Sequence, residues 1–361
     1  MRPILATISQ SALQHNLSVV RKFAPHSKVM AALKANGYGH GIERIAHGLS
    51  GADGFAVLGM DEAITLREMG FEQPILLLEG VFHADSLAVV NAYRLSLVIH
   101  CYAQIEMLEH SPYRHPFNIF LKMNTGMNRL GFVPDDYLKA LARVTKLTPN
   151  VTLMTHFAAA DELNGTDAAM AIFQQTTKNL PYPSSLANSA AILCQPQTHL
   201  DWVRPGIMLY GATPAKNTVV TEFGLKPVMQ LTSEIIAVQT LNAGETLGYG
   251  NRYTASKPTR VGVVACGYAD GYPRHAGQYS GSNLLQGVPV AVGGKITQTL
   301  GRVSMDMLFV DLTALPEANI GSPVELWGST VSVDTVAEAC GTIGYELLCA
   351  VTPRVPFKVV D

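Results

Sequence analysis

The sequence predicts an α/β protein in which an N-terminal (β/α)8 TIM-like barrel precedes a mostly antiparallel β-strand domain. Before about residue 212, eight short apolar runs alternate with helical patterns. Such continuous runs are typical of parallel strands that helices cover on both faces. After about residue 225, an alternation of apolar and polar residues replaces them, as in half-buried strands. An open, doubly wound parallel sheet is the alternative architecture for the first part.

The apolar runs of the first part recur roughly every two dozen residues, which suits repeated strand–helix units. The runs are Val29–Leu33, Gly54–Leu58, Ile75–Leu78, Leu95–Ile99, Phe117–Met123, Val151–Met154, Ser184–Ala187 and Trp202–Val203. Apolar stripes at helical spacing include Leu13, Leu17 and Val20; Ile42, Ile45, Ala46 and Leu49; Leu138, Leu141 and Val144; and Ala169, Phe173, Thr176 and Leu180. We expect Ser9 or Ser11 to cap the first helix, and Gly70 to end a later one.

The β domain is predicted from short strands separated by Gly, Pro and Asn. Residues 227–238 alternate, and further strands are expected at Arg260–Cys266, Val288–Val292, Met307–Leu312 and Val324–Trp327. A single helix is predicted at Val333–Cys340, capped by Ser332 and ended by Gly341. The segment Val351–Phe357 is broken by prolines and should be an edge or crossing segment.

The length of 361 residues suits two domains, which we place at residues 1–225 and 226–361. The first ~8 residues are candidates for pairing with the C-terminal domain, as an N-terminal strand tied into a sheet does.

The composition predicts a packed cytoplasmic protein that binds neither nucleic acid nor membrane. Hydrophobic residues make up 48% and charged residues 15%, and the net charge of −2 includes no lysine or arginine run. Apolar segments are too short for a membrane helix, and the N-terminus turns polar too early for a signal peptide. The five cysteines are scattered and lack metal-ligand spacing, so we expect reduced thiols and no metal site.

Lys34 is the first candidate for chemistry because it ends an apolar run and precedes the glycine-rich stretch Gly37-Tyr-Gly-His-Gly. Burying an ammonium group is costly unless it is paired or neutralised. A lysine held near neutrality is a nucleophile that can form a Schiff base with an aldehyde. A lysine that extends its ammonium group to solvent at a strand end is the alternative.

Polar residues also follow several other runs at their C-terminal ends. In a barrel these ends converge on one mouth, where active sites lie. Taken singly, His156 could be a core histidine, and Asn188 with Ser189 a helix cap. Together they predict a functional site. The residues are Lys34, Lys122, His156, Asn188, Ser189 and Arg204.

Longer motifs resemble the alanine racemase family over essentially the whole chain. This family depends on pyridoxal 5'-phosphate, so the resemblance implies that cofactor, the two-domain fold and a homodimer with shared active sites. The matching segments begin at Ala32 (ALKANGYGHG), Lys122 (KMNTGMNRLG), Thr155 (THFAAAD), Asn188 (NS), Val203 (VRPGIMLYG), Gly248 (GYGNRY), Gly267 (GYADGY), Gly301 (GRVSMD) and Gly344 (GYE).

The resemblance implies a two-base racemisation. Lys34 would hold the cofactor and then serve as base or acid on one face of the substrate Cα. Tyr249, contributed by the partner subunit, would serve the opposite face. Tyrosine is a poor base at its ordinary pKa of ~10, so it needs a neighbour such as His156 or Arg204. A loop aromatic between glycines is the alternative interpretation of Tyr249.

The resemblance also implies the cofactor contacts. Arg204 would face the pyridine nitrogen and, being unable to give up its proton readily, would leave the ring unprotonated and a weaker electron sink. That suits a racemase, which must avoid transamination. Phosphate donors would be Tyr38, Ser189, Tyr345 and the amides of Gly206 and Ile207. The implied cofactor-binding residues are Lys34, Tyr38, His156, Asn188, Ser189, Arg204, Gly206, Ile207 and Tyr345.

Substrate contacts follow from the same resemblance. Arg129 would help to hold the substrate carboxylate, and Lys122 is a candidate for carbamylation, which would turn a repelling cation into a partner for arginine. Met305 and Asp306 of the partner subunit would close the substrate side. The sequence therefore predicts an isomerase that interconverts L-alanine and D-alanine and supplies or consumes D-alanine, a peptidoglycan precursor.

Three alternatives compete with this prediction. A racemase of broader or serine preference would share all the motifs. A basic amino-acid decarboxylase would not be expected to have Tyr249 or Met305-Asp306. A non-catalytic pyridoxal-phosphate carrier would consist of the barrel alone, whereas this chain devotes its last third to a β domain.

Overall fold

The computed structural model describes residues 2–113, 116–214, 220–277 and 287–361. The chain forms two compact units. One comprises Leu13–Leu209 and Thr213–Leu225, and the other comprises Met1–Ala12, Tyr210–Ala212 and Lys226–Asp361. We refer to them as the barrel unit and the β unit.

The elements are numbered in chain order. The strands are β1 (Leu5–Ser9), β2 (Lys28–Ala32), β3 (Gly54–Val57), β4 (Ile75–Leu77), β5 (Ser96–Ile99), β6 (Asn118–Lys122), β7 (Val151–Met154), β8 (Ser184–Ser185), β9 (Trp202–Val203), β10 (Met229–Leu241), β11 (Thr246–Leu247), β12 (Tyr253–Thr254), β13 (Thr259–Val264), β14 (Pro289–Val292), β15 (Lys295–Leu300), β16 (Leu308–Asp311), β17 (Pro323–Trp327) and β18 (Phe357–Val360). The helices are α1 (Gln10–Phe23), α2 (Lys34–Tyr38), α3 (Ile42–Ala46), α4 (Met60–Glu68), α5 (Ser86–Ala92), α6 (Tyr102–Glu109), α7 (Pro134–Val144), α8 (Asp167–Thr177), α9 (Ser189–Cys194), α10 (Val333–Ala339) and α11 (Gly344–Ala350). Short 3-10 helices are Pro196–Thr198, Ile207–Tyr210, Val220–Phe223, Tyr249–Asn251 and Tyr268–Asp270.

The barrel unit confirms the closed barrel and excludes the open sheet. Strands β2 to β9 are all parallel, and β9 pairs back with β2. The strand residues are almost all buried, which explains why the sequence showed continuous apolar runs. Six consecutive strands, β2 to β7, each contribute a buried side chain to one cluster that fills the barrel interior. The cluster consists of Met30, Ala56, Leu76, Val98, Phe120 and Met154.

The helices of the barrel unit follow the predicted stripes in part: Leu49 and Leu180 lie beyond the ends of α3 and α8, and one further residue faces outward. Leu138 is 46% exposed, so its assignment to the buried face of α7 was wrong. That face comprises Tyr137, Ala140, Leu141 and Val144. The Tyr137 hydroxyl donates to the Leu121 carbonyl at 3.2 Å, which fixes Tyr137 toward the strand and turns Leu138 outward.

In the β unit, the mostly antiparallel sheet is confirmed. The strand order is β13-β16-β15-β14-β17-β10-β1-β18, and β13 also pairs with β10. β1 is antiparallel to β10 and parallel to β18, which lies at the sheet edge directly after the proline-broken segment. The Ser9 hydroxyl accepts from the Ala12 N–H at 3.1 Å, as expected for the cap of α1.

Several elements of the β unit were not predicted, among them α11 and the strands β11, β12 and β15. The expectation of a single helix was wrong, because α11 follows α10. α11 begins at Gly344 after Ile343, whose side chain cannot cap a helix, so the usual start signal is absent. β15 begins with the exposed residues Lys295 and Ile296 and buries only Thr299 and Leu300, which leaves little alternation to detect. Within the described ranges, every helix is too short or too polar to cross a membrane.

Asp270 is a fully buried carboxylate of the β unit that forms ion pairs with Arg2 and Arg354. Its Oδ1 accepts from Arg2 at 2.9 Å and from Arg354 at 3.0 Å. Its Oδ2 accepts from the Gly267 N–H at 2.9 Å. Two guanidinium groups and a backbone amide therefore offset the cost of burying this charge.

Replacing Asp270 by alanine should lower the free energy of unfolding by about 2–3 kcal/mol, because a buried N–H loses its acceptor, Arg2 loses its carboxylate partner and Arg354 loses one of two. Urea denaturation at a fixed protein concentration would measure the change. Glu317→Ala is the matched control, since Glu317 and its partner Lys295 are both exposed. Equal effects of the two substitutions would contradict this account.

Candidate active site

The structure brings the predicted barrel residues together at one mouth. Lys34 follows β2 by two residues, Lys122 ends β6, and Arg204 directly follows β9. His156 and Ser189 follow β7 and β8 within four residues. Because β2 to β9 are parallel and closed, these strand ends all lie on the same rim.

The backbone after Lys34 forms a left-handed turn. Ala35, Asn36, Gly37 and Tyr38 have φ values of 55°, 52°, 63° and 51°. Each non-glycine residue in this conformation costs about 1–2 kcal/mol. Such strain persists only where neighbouring contacts impose it, and it is common at functional sites.

Arg204 is buried and hydrogen-bonded to neutral acceptors. Its guanidinium donates to Ser185 Oγ at 2.6 Å, to the Thr155 carbonyl at 2.7 Å and to the Leu186 carbonyl at 3.1 Å. Burial lowers the pKa of Arg204 to about 10, so the group stays charged at neutral pH. A buried cation bonded in this way attracts an anion or an uncharged acceptor into the mouth.

His156 is held as a neutral acceptor. Its Nδ1 lies 3.3 Å from an Arg204 nitrogen. Because arginine can only donate, Nδ1 accepts and the ring proton is on Nε2. Burial first, and then repulsion by Arg204, place the pKa of His156 well below its ordinary value.

Lys122 is a buried lysine surrounded by other cations. Burial lowers its pKa to about 8, and repulsion from Arg204, Arg129 and Lys34 acts in the same direction. The carboxylate of Glu79 acts in the opposite direction. The mouth is therefore electropositive, and a bound anion would relieve the repulsion.

A second group of donors surrounds Gly206. The Ser189 hydroxyl accepts from the Gly206 N–H at 2.8 Å and the Met208 N–H at 3.4 Å. A Cβ at Gly206 would lie 2.4 Å from the Tyr38 hydroxyl, so only glycine fits there. Ile207 is buried and begins the next 3-10 helix. Hydroxyl and amide groups in this arrangement suit a phosphate.

Asn188 lies beside these donors, but its side chain is used by the fold. Its Oδ1 accepts from the Ala191 N–H at 3.0 Å, and its Nδ2 donates to the Phe157 carbonyl at 3.3 Å. This geometry supports the helix-cap interpretation of Asn188, which begins α9 and thereby orients Ser189.

Four further predicted residues lie in the β unit, whereas Arg129 is exposed in the barrel unit. Tyr249 is 73% exposed, between Gly248 and Gly250 in the turn that joins β11 to β12. Met305 is 53% exposed. An Asp306 carboxylate oxygen accepts from Arg354 at 2.6 Å, and Tyr345 lies in the first turn of α11.

His100 is a mouth residue that the sequence interpretation missed. It directly follows β5, so it had the same signal as the others: a polar residue after an apolar run. It bonds to the Glu79 backbone carbonyl, and burial, followed by repulsion from Lys122, lowers its pKa.

Comparison with known proteins now decides the family. A model described as "Alanine racemase, N-terminal domain" matches residues 8–214, and one described as "Alanine racemase, C-terminal domain" matches residues 228–359. The chain belongs to the alanine racemase family. This confirms the family expected from the motifs and the enzyme class, an amino-acid racemase.

Individual relatives cover the whole length. A protein named alanine racemase from Paraburkholderia phytofirmans is 52% identical over 360 residues, 99% of each chain. The crystal structure of the biosynthetic alanine racemase from Pseudomonas aeruginosa matches with a TM-score of 0.95 at 45% identity, over 100% of both chains. A structure of the Bartonella henselae alanine racemase with covalently bound pyridoxal phosphate matches with a TM-score of 0.88 at 26% identity, over 100% of both chains.

Lys122 should titrate unlike a surface lysine. In buffer depleted of carbon dioxide, its acetylation by a small anhydride should rise with a midpoint near pH 8, because the neutral amine is the reactive form. Lys139 is the control, since its bond to Asp136 raises its pKa. Peptide mass spectrometry would follow both, and identical pH profiles would contradict the electropositive mouth.

Proposed function

We propose that the protein interconverts L-alanine and D-alanine by a two-base mechanism that uses pyridoxal 5'-phosphate. The observation that supports this most is the cationic mouth, where Lys34, Lys122, Arg129 and Arg204 lie beside the Ser189 and Gly206 donors. The names of the relatives agree with this substrate.

The residues at the mouth fit the cofactor. A phosphate dianion matches the hydroxyls of Tyr38 and Ser189 and the amides of Gly206 and Ile207. Tyr345 is proposed as a further donor. Arg204 would donate to the ring nitrogen, and His156 and Asn188 would border the ring. When bound, the cofactor supplies the aldehyde that takes the substrate amine and the electron sink that makes its Cα–H acidic.

Lys34 is proposed to hold the cofactor and then to move a proton at the substrate Cα on one face. Tyr249 of the partner subunit would move the proton on the other face. Two features support this division: Lys34 lies two residues after a barrel strand, and Tyr249 is largely exposed on its own chain. His156 and Arg204 are proposed to polarise the tyrosine hydroxyl.

Arg204 is proposed to tune the reaction. Its bonds to Ser185, Thr155 and Leu186 fix the guanidinium, and its charge is retained at neutral pH. An arginine opposite the ring nitrogen donates a hydrogen bond without transferring a proton. That limits the electron sink and disfavours transamination.

Substrate binding is proposed to involve both subunits of a homodimer. Arg129 would bind the alanine carboxylate, and carbamylation of the buried Lys122 would replace repulsion by attraction. Met305 and Asp306 of the partner subunit would close the substrate side; the exposure of Met305 supports an interface role. In this proposal residues 1–225 bind the cofactor and residues 226–361 supply Tyr249.

The proposed cellular role is to supply D-alanine for peptidoglycan, or to consume it, in the cytoplasm. A racemase of broader or serine preference is the nearest alternative, and a pyridoxal-phosphate carrier is the non-enzymatic one. Purified protein supplied with the cofactor should convert L-alanine to D-alanine faster than any other amino acid in a panel. A carrier would bind the cofactor and convert none of them.

Lys34→Ala should abolish both racemisation and the absorbance band of lysine-bound cofactor, because the attaching amine is lost. Lys28→Ala is the control, since Lys28 begins the same strand at the opposite end and lies against Trp202. Retention of the band in Lys34→Ala would contradict the cofactor assignment.

Tyr249→Phe should slow exchange of the Cα proton of one alanine enantiomer by ~100-fold or more, and that of the other far less, because the two bases serve opposite faces. Proton NMR in deuterated water would measure both rates. Tyr253→Phe, in the neighbouring strand, should leave them unchanged. Equal losses for both enantiomers in Tyr249→Phe would argue against two bases.

Mixing Lys34→Ala and Tyr249→Phe subunits should restore part of the activity if each site takes one residue from each chain. Differently tagged subunits would allow heterodimers to be purified and assayed. Inactive heterodimers that contain bound cofactor would count against shared sites.

A further inference from the structure

The left-handed turn after Lys34 has two halves with different environments. Gly37 and Tyr38 are buried, and the Tyr38 hydroxyl lies against Gly206. Ala35 and Asn36 are exposed, although they adopt the same left-handed conformation. Apolar burial therefore cannot hold the half that directly follows Lys34. Its two carbonyls accept from the Gly39 and Gly41 N–H groups, and a further polar contact holds the Asn36 N–H.

Glu62 supplies that contact from the neighbouring barrel segment. Its Oε1 accepts from the Asn36 N–H at 2.8 Å. Its Oε2 accepts from the N–H groups of Leu58 and Gly59, both at 3.1 Å. The carboxylate thus joins the turn after β2 to the end of β3. Asn36 is also held from the other side, where its Oδ1 accepts from the Ile42 N–H at 2.9 Å.

Helix capping explains only part of this arrangement. Glu62 is the third residue of α4, so its bond to the Gly59 N–H is the usual one for a glutamate at that position. The bond from Oε1 to Asn36 connects residues 26 apart in the chain and contributes nothing to α4. It acts on the turn alone.

We propose that Glu62 is a positioning residue, whose carboxylate holds the exposed half of the left-handed turn and thereby sets where the Lys34 amine meets the cofactor. This inference rests on the proposed function of Lys34. The Glu62 carboxylate does not touch the substrate, and Tyr38, anchored by burial, keeps its place beside Gly206 without it.

Glu62→Gln tests the role with little change in size. An amide has one acceptor oxygen, so its NH2 group must face either the Asn36 N–H or those of Leu58 and Gly59. Whichever side meets the NH2 group loses its acceptor. A misplacement of ~1 Å can cost ~100-fold in rate, so we expect covalent capture of pyridoxal 5'-phosphate by the apoprotein to slow by at least ~10-fold.

The experiment compares two ligands. Stopped-flow absorbance measures covalent capture of pyridoxal 5'-phosphate, and calorimetry measures binding of pyridoxine 5'-phosphate, which lacks the aldehyde. Glu62→Gln should slow capture and lower kcat for alanine, while KM and pyridoxine 5'-phosphate affinity change less than ~3-fold. Asp61→Asn, an exposed carboxylate on the same helix turn, should match wild type.

The outcomes separate this inference from the proposed function. Capture by Glu62→Gln at the wild-type rate, or slow capture with an equal loss of pyridoxine 5'-phosphate affinity, would overturn the positioning role. If wild type itself captures no cofactor, the proposed function fails as well.

Circular dichroism checks that each variant is folded. Glu62→Asp keeps the charge but has a shorter side chain, so its rate of cofactor capture should fall between those of Glu62→Gln and wild type.

Discussion

The site depends on positive charge that the fold places inside the barrel mouth, where Arg204 donates to neutral acceptors. Arg204 is buried among neutral acceptors, and Lys122 is buried close enough to Arg204, Arg129 and Lys34 for their repulsion to lower its pKa. A fold would lose stability from such a cluster unless a ligand offset the repulsion. A dianionic phosphate would offset the repulsion among the cations, and a neutral ring nitrogen would accept a hydrogen bond from Arg204. The catalytic proposal follows from that constraint.

The same site depends on a strained backbone. The non-glycine residues of the left-handed turn each cost about 1–2 kcal/mol. A hydrogen bond to a charged group contributes about 1.5–3 kcal/mol. The bond from Asn36 to Glu62 is therefore large enough to offset the strain at one or two residues. The turn keeps its shape because residues at the end of β3 and the start of α4 hold it in place.

The sequence was sufficient for the barrel and for most of its mouth, because buried parallel strands show as apolar runs and the mouth residues directly follow them. It was insufficient where contacts span long distances along the chain. The Asn36–Glu62 bond and the Arg2–Asp270 ion pair join residues 26 and 268 apart, and no local pattern marks them. Helix α11 was missed because Ile343 cannot cap it. Leu138 was misassigned because Tyr137, whose hydroxyl bonds to the Leu121 carbonyl, occupies the buried face in its place.

Lys34 and Lys122 are both lysines at the mouth, so identifying the residue that holds the cofactor tests the central claim most directly. The protein loaded with pyridoxal 5'-phosphate would be reduced with borohydride, digested with trypsin and analysed by mass spectrometry. The account predicts a modified peptide spanning residues 29–44, uncleaved at Lys34. Modification at Lys122, the competing amine with a pKa of about 8, would contradict it.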